Sequence, residues 1–312
     1  MQKGIALTKL QRDVFFDEVN KKLEKDKDIY VMSADFGAES LDTTRDKFKE
    51  NFIHCGISEQ AMFDIGTGLA LEKKKVITYA MGPFISLRAL EQIKCGPAMM
   101  SLPMTILSVG IGLGYADAGP THYATEDYAC LRAIGGTTIY TASDNIIAKK
   151  IAENIIDSKD LNYVRLDRHP TDNINFELNE FSFNDGFRIF GKYSKNKSVI
   201  ISHGRILGNC LKSIKELSEE FYLVDLFRSK PISKKLINLL KYTRKIVVVD
   251  EQTQYGNLSS AVQSELTKYS LYPIVKNISL PDEYVFQNGG RDFLIKKYNL
   301  DEISILNSCK KI

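Results

Sequence analysis

At 312 residues the chain is long enough for about two domains at the usual ~150 residues each, which excludes a peptide-sized scaffold. Its 44% hydrophobic and 26% charged content is too apolar for a disordered chain. The 42 lysines and arginines against 39 aspartates and glutamates leave +3, scattered rather than gathered in a basic stripe, so a nucleic-acid partner is not expected.

In chain order, a helical pattern over 7–23 precedes a short apolar run at 29–33. Strand candidates follow at 76–80, 104–109, 137–140 and 162–166, and helical patterns at 59–71, 84–93 and 145–156 separate them. A second series places strands at 199–202, 222–225, 246–250 and 273–278. This alternation predicts an α/β protein of two doubly wound domains with mainly parallel sheets. Residues 168–184 fit neither period and carry proline and polar residues, so they read as a linker, dividing the chain into 1–180 and 181–312.

Cys95 to Ala116 is uncharged and long enough to raise a membrane span. Pro97, Pro103, Gly96, Gly110, Gly112 and Gly114 break it, and a buried strand running into a glycine loop is the better reading. The amino-terminal stretch carries a charge every few residues and lacks the apolar core of a signal peptide. Five cysteines, Cys55, Cys95, Cys130, Cys210 and Cys309, show no metal-ligand spacing and make a poor disulfide framework. A reduced, cytoplasmic setting is therefore expected, without a membrane.

Two segments could carry chemistry. In 51–62, Gly56 permits a tight turn and Ser58 can cap a helix that starts at Glu59. A first-turn glutamate there either complements the helix dipole or serves a site. In 110–127 a glycine-rich loop follows a buried strand and leads through His122 to a helix that Glu126 and Asp127 help to start. It fails as a dinucleotide fingerprint, because Asp117 stands where the third glycine belongs.

Taken together, these segments resemble the transketolase family, specifically its pyrimidine-binding and C-terminal domains. The likeness covers nearly the whole chain. It rests on SADF at 33–36, FIHCGISEQAM at 52–62, PFISLRALEQI at 83–93, GPTHYATEDYACLRAI at 119–134 and YVRLDR at 163–168. In the second half it rests on VIISHGRILGNCL from Val199 and IVVVDEQTQYGNLSSAV from Ile246.

The resemblance implies thiamine diphosphate as cofactor. Glu59 would share a proton with N1′ of the aminopyrimidine, a task suited to a carboxyl group in an apolar pocket. Phe84 would stack on that ring, Met81 would lie where relatives place another aromatic, and Asp35 would help hold the pocket. His122 resembles the histidine that faces donor hydroxyls and assists proton transfer. Arg168 resembles the arginine that grips a sugar phosphate, with Arg165 nearby and Arg12 a further contact.

Three departures bear on the sugar. Ala118 stands where many relatives have an acid before GPTH, Gly110 where they often have a histidine, and Glu39 where a serine soon follows SAD. The chain also lacks the GDG-type motif that holds Mg²⁺ and the diphosphate. The resemblance therefore implies the C-terminal component of a split transketolase, inactive alone. A separate N-terminal subunit would carry Mg²⁺ and the diphosphate, and a homodimer core would build an α₂β₂ heterotetramer. Ketol transfer from a ketose to an aldose is the expected activity. The alternatives are a deoxyxylulose-phosphate-synthase-like enzyme, a 2-oxo-acid dehydrogenase β-like subunit, or a non-catalytic regulatory subunit.

Overall fold

The computed structural model describes residues 9–34, 37–171, 174 and 182–312. Its first half runs α1 (Gln11–Leu23), β1 (Ile29–Ser33), α2 (Glu39–Lys47), β2 (Phe52–His54), α3 (Glu59–Leu71) and β3 (Lys75–Met81). It continues with α4 (Leu90–Ile93), β4 (Met104–Val109), α5 (Asp127–Ala133), β5 (Thr137–Thr141), α6 (Asn145–Ile155) and β6 (Leu161–Leu166). The second half contains β7 (Arg188–Phe190), β8 (Ser198–Ser202), α7 (Leu207–Ile214), β9 (Phe221–Asp225), β10 (Arg228–Lys230) and α8 (Lys234–Leu240). It ends with β11 (Lys245–Thr253), α9 (Leu258–Lys268), β12 (Ile274–Leu280), α10 (Gly290–Lys297) and α11 (Glu302–Lys310).

Two sheets organise the chain, in the orders β10-β5-β6-β4-β3-β1-β2 and β12-β11-β8-β9-β7. All pairings are parallel except β10 with β5 and β7 with β9. Helices cover both faces of such a sheet, and β4 and β6 are accordingly buried along their whole length. The uncharged stretch 95–116 is a bent turn, then β4, then loop, and no helix among the described residues is long and apolar enough to cross a membrane.

Local sequence explains the helix starts. At α6 the Asp144 carboxylate accepts from the Ile147 N–H at 2.9 Å, and Ile147, Ala148, Ile151, Ala152 and Ile155 form the buried stripe. The start of α3 departs from expectation. Ser58 occupies the capping position, but its hydroxyl donates to the Cys55 carbonyl instead of receiving a helix N–H. The pattern over 84–93 also differs from a plain helix. Phe84–Arg88 forms a π-type turn, α4 is a single turn, and Lys94–Ala98 is a second π-type turn that absorbs Pro97.

The two halves are not separable layers. Strand β10, from the second half, completes the first sheet, and one apolar core joins Ile106, Tyr163 and Leu131 to Ile201, Val224 and Val248. Arg188 reaches across, donating to Asp225 at 2.8 Å and Asp144 at 2.9 Å with all three side chains fully buried. The expected linker cut near residue 180 lies outside the described residues.

Candidate active site

The carboxyl ends of β2, β3, β4 and β6 open on one edge of the first sheet, the usual place for a ligand in an open parallel sheet. From β2 the chain turns through Gly56, at a φ of 67° that favours glycine, and enters α3 at Glu59. The Glu59 side chain is only 3% exposed. A buried carboxylate needs a partner, and Arg88 provides it, with Nη1 donating to Oε2 at 2.8 Å. The pocket around Glu59 is therefore less apolar than the sequence suggests.

Strand β3 ends at half-buried Met81, which is in register with Val109 at the end of β4. Three residues on, half-buried Phe84 lies under the Arg88 guanidinium, 4.3 Å from ring centroid to Cζ. The edge-to-face neighbour of Phe84 is His122, with centroids 5.2 Å apart. The Nδ1 of His122 lies 2.9 Å from the Thr121 hydroxyl. Glu59, Arg88, Phe84 and His122 thus form one continuous chain of contacts.

That chain extends to Tyr115. Its ring is 6.3 Å from His122, and the Arg168 guanidinium sits 4.4 Å from its centroid. Arg168 is held by Asp117 through contacts of 2.6 and 3.3 Å, which lower the Asp117 pKa. Burial pushes the Tyr115 phenol up to about 12, so it stays protonated at neutral pH. Arg12, on α1, acts electrostatically on both Tyr79 and Tyr115, lowering their phenol pKa values against the effect of burial, which puts it at the same end of the site.

Arg165 is a correction. It lies within β6, 1% exposed, and its guanidinium grips Asp127 at 2.7 and 3.0 Å, with Thr141 at 3.1 Å. A guanidinium already held this way in the core has no fork to offer a substrate. Asp127 also accepts from Tyr163 at 2.7 Å, so this end of α5 is a buried structural node. Asp35 lies outside the described residues. Glu39 and Ala118 are exposed.

The sequence reading missed Arg88, Tyr115 and Asp117. The four-residue spacing of Phe84 and Arg88 within one helical segment was the available signal for the first. None existed for Tyr115, whose place is set by packing against Gly110.

The second half braces the site from behind. Arg291 is bidentate to Glu251, through Nε to Oε2 at 3.1 Å and Nη2 to Oε1 at 3.0 Å, and its Nη1 donates to Asp167 at 2.7 Å. Glu251 also accepts from the Leu113 N–H of the glycine loop at 3.3 Å. Burial alone would raise the Asp167 pKa, but Arg291 and the His169 N–H outweigh it and hold the carboxyl at about 2.

Residues 10–172 match the transketolase pyrimidine-binding domain, and residues 192–305 match the transketolase C-terminal domain. A Phocaeicola vulgatus protein, named as a subunit of apulose-4-phosphate transketolase, is 27% identical over 303 residues, covering 94% of both chains. A putative transketolase C-terminal section from Methanocaldococcus jannaschii is 29% identical over 295 residues, covering 92% of this chain and 90% of its own. Among solved structures, a split gene transketolase described as an inactive beta4 tetramer superposes with a TM-score of 0.82 at 23% identity, covering 97% of each chain.

Proposed function

Because the chain belongs to the transketolase family, we propose that it is the C-terminal subunit of a split, thiamine-diphosphate-dependent transketolase that moves a two-carbon ketol unit from a ketose phosphate to an aldose. The observation that carries this reading is the pairing of a buried helix-start carboxylate, Glu59, with the half-buried ring of Phe84. An aminopyrimidine needs a carboxyl group at a ring nitrogen and an aromatic face beneath it, and these residues offer both. The two relatives, one named as a transketolase subunit and the other as a C-terminal section, match over nine-tenths or more of both lengths. That supports a component working with a separate chain.

When bound, thiamine diphosphate supplies the electron sink for cleavage of the donor's carbon–carbon bond. Glu59 holds a proton shared with N1′ of the aminopyrimidine, and Phe84 orients the ring. Thr121 contacts His122 through Nδ1, and Nε2 is left to face the donor hydroxyls as proton acceptor and donor. Arg168, set by Asp117 and Tyr115, takes the sugar phosphate, with Arg12 behind it. Met81 lines the pocket beside Val109.

Mg²⁺ and the diphosphate fall to the separate N-terminal subunit. Exposed Ile57, Ile65, Leu87, Met99 and Met100 lie on or next to α3 and on the segment packed against it, an apolar surface near Glu59 that suits a homodimer core within an α₂β₂ assembly.

The test is reconstitution. This chain, a candidate diphosphate-domain subunit and Mg²⁺ are assayed separately and mixed, with ketose phosphates that include apulose 4-phosphate as donors. Turnover only in the mixture, falling at least 100-fold in Glu59→Ala, is the expected result. Transfer by the isolated chain, full transfer by Glu59→Ala, or carbon dioxide release from pyruvate would overturn the reading.

A further inference from the structure

Arg88 touches both groups that the proposed function reserves for the cofactor's aminopyrimidine. Its Nη1 donates to Glu59 Oε2 at 2.8 Å, and its Cζ lies 4.3 Å from the Phe84 centroid. The π-type turn Phe84–Arg88 explains why one residue can do both. Its wider turn brings residues four apart onto the same side, so the Arg88 side chain folds back over Phe84 toward α3. A guanidinium is planar, donates N–H groups to a carboxylate and stacks on aromatic faces. Those are the same two contacts an aminopyrimidine would make here. Neither the 2.8 Å hydrogen bond nor the 4.3 Å stack leaves room for a ring at the same place.

We propose that Arg88 is a resident competitor for the aminopyrimidine position: it closes the pocket over Glu59 and Phe84 in the isolated chain and swings outward when the cofactor binds. The proposal rests on the reading of Glu59 and Phe84 as the aminopyrimidine contacts.

Burial and exposure divide the roles. Glu59 is 3% exposed and cannot go without a partner, whereas Arg88 is 40% exposed and has solvent to move into. Among the described residues Glu59 is the only side chain to which Arg88 hydrogen-bonds, so one contact to the site holds it in place besides the Phe84 ring. The cofactor's pyrimidine end must replace that ion pair, which lowers its affinity for the chain alone. Anchoring of the diphosphate by the other subunit supplies the interaction that tips the exchange. The arrangement keeps Glu59 partnered before assembly and links opening of the pocket to arrival of the second chain.

The test measures binding rather than turnover. Thiamine diphosphate with Mg²⁺ is titrated calorimetrically into the assembled complex, and free hydroxymethylpyrimidine is titrated into the full chain alone by ligand-observed NMR. Wild type, Arg88→Ala, Arg88→Lys and Glu59→Gln are compared. Arg88→Ala is expected to bind both ligands about tenfold more tightly than wild type, the scale of one charge-assisted hydrogen bond. Arg88→Lys, which keeps the cation, should stay nearer wild type. Equal affinity of Arg88→Ala and wild type, with Glu59→Gln weakened, overturns the competition and leaves the cofactor reading standing. Weaker binding by Arg88→Ala would make Arg88 a cofactor contact and also overturns it. If Glu59→Gln binds thiamine diphosphate as wild type does, the assignment of Glu59 itself falls, and the competition with it.

Discussion

The ring of Tyr115 fills the space into which a side chain at Gly110 would grow. A Cβ built on Gly110 would lie 2.0 Å from Tyr115 Cε2, and the backbone there has a φ of 87°. The two residues are therefore one feature. The glycine at the end of β4 exists so that an aromatic from five positions on can fold back against His122 and Arg168.

Gly110→Ala should accordingly destabilise the chain by at least about 2 kcal/mol, from left-handed backbone strain plus displacement of the ring. Gly110→Ala with Tyr115→Ala should recover the part caused by the clash and leave the strain. Urea denaturation of the two variants beside Tyr115→Ala closes the cycle, and additive losses would show that the residues are independent.

The two arginines flanking the end of β6 should behave oppositely. Arg165→Ala strands the buried Asp127 carboxylate and should cost roughly 3–5 kcal/mol of stability. Arg168 and Asp117 are 32% and 67% exposed, so Arg168→Ala should change stability by less than about 1 kcal/mol. In the reconstituted enzyme it should instead raise KM for a phosphorylated donor at least tenfold, about 1.4 kcal/mol of binding, with little effect on a donor that lacks phosphate. Equal effects on both donors would remove Arg168 from the phosphate site.

Two helix starts provide a matched pair. Asp144 caps α6 and also receives Arg188, so Asp144→Ala should cost roughly 3 kcal/mol or more. Ser58 gives α3 no side-chain cap, so Ser58→Ala should cost less than about 1 kcal/mol. Thermal denaturation of the two variants is sufficient, and a large loss in Ser58→Ala would mean its bond to Cys55 fixes the turn before Glu59.

Acid should act through Asp167. Its carboxyl is held at about 2 in the folded chain against an ordinary 3.8, so the folded state binds this proton less readily than the unfolded state does. The stabilisation is complete above about pH 4, disappears as pH falls through 2, and amounts to roughly 2 kcal/mol. Asp167→Asn should lose it at neutral pH and show a flatter stability curve between about pH 4 and 2. Curves of the same slope would assign the acid sensitivity to other groups.

Much of the architecture was legible because buried parallel strands write themselves as apolar runs. The strands at 29–33 and 104–109 emerge with the expected bounds, and helix α3 begins and ends where its pattern does. The three-residue strands β2, β7 and β10 were not legible, since three residues carry no period and Arg228–Lys230 is polar. Helix α2, with serine, threonines and aspartates inside it, has too weak an apolar stripe to announce itself. In the site, motif strings brought Glu59, Phe84, His122 and Arg168 to one edge. Arg165 misled because it shares the strand face of Tyr163, two positions back, and both point to Asp127. Nothing local in the chain names that partner.

The return of β10 to the first sheet, with the shared core, should make the molecule unfold as a single cooperative unit despite its two sheets. Removing everything after residue 180 would uncover the edge of β5, orphan Asp144 from Arg188 and open an apolar core. Such a truncation should collect in inclusion bodies rather than fold as a free pyrimidine-binding module. A single backbone nick near residue 180 should leave two fragments that co-elute until denaturant parts them.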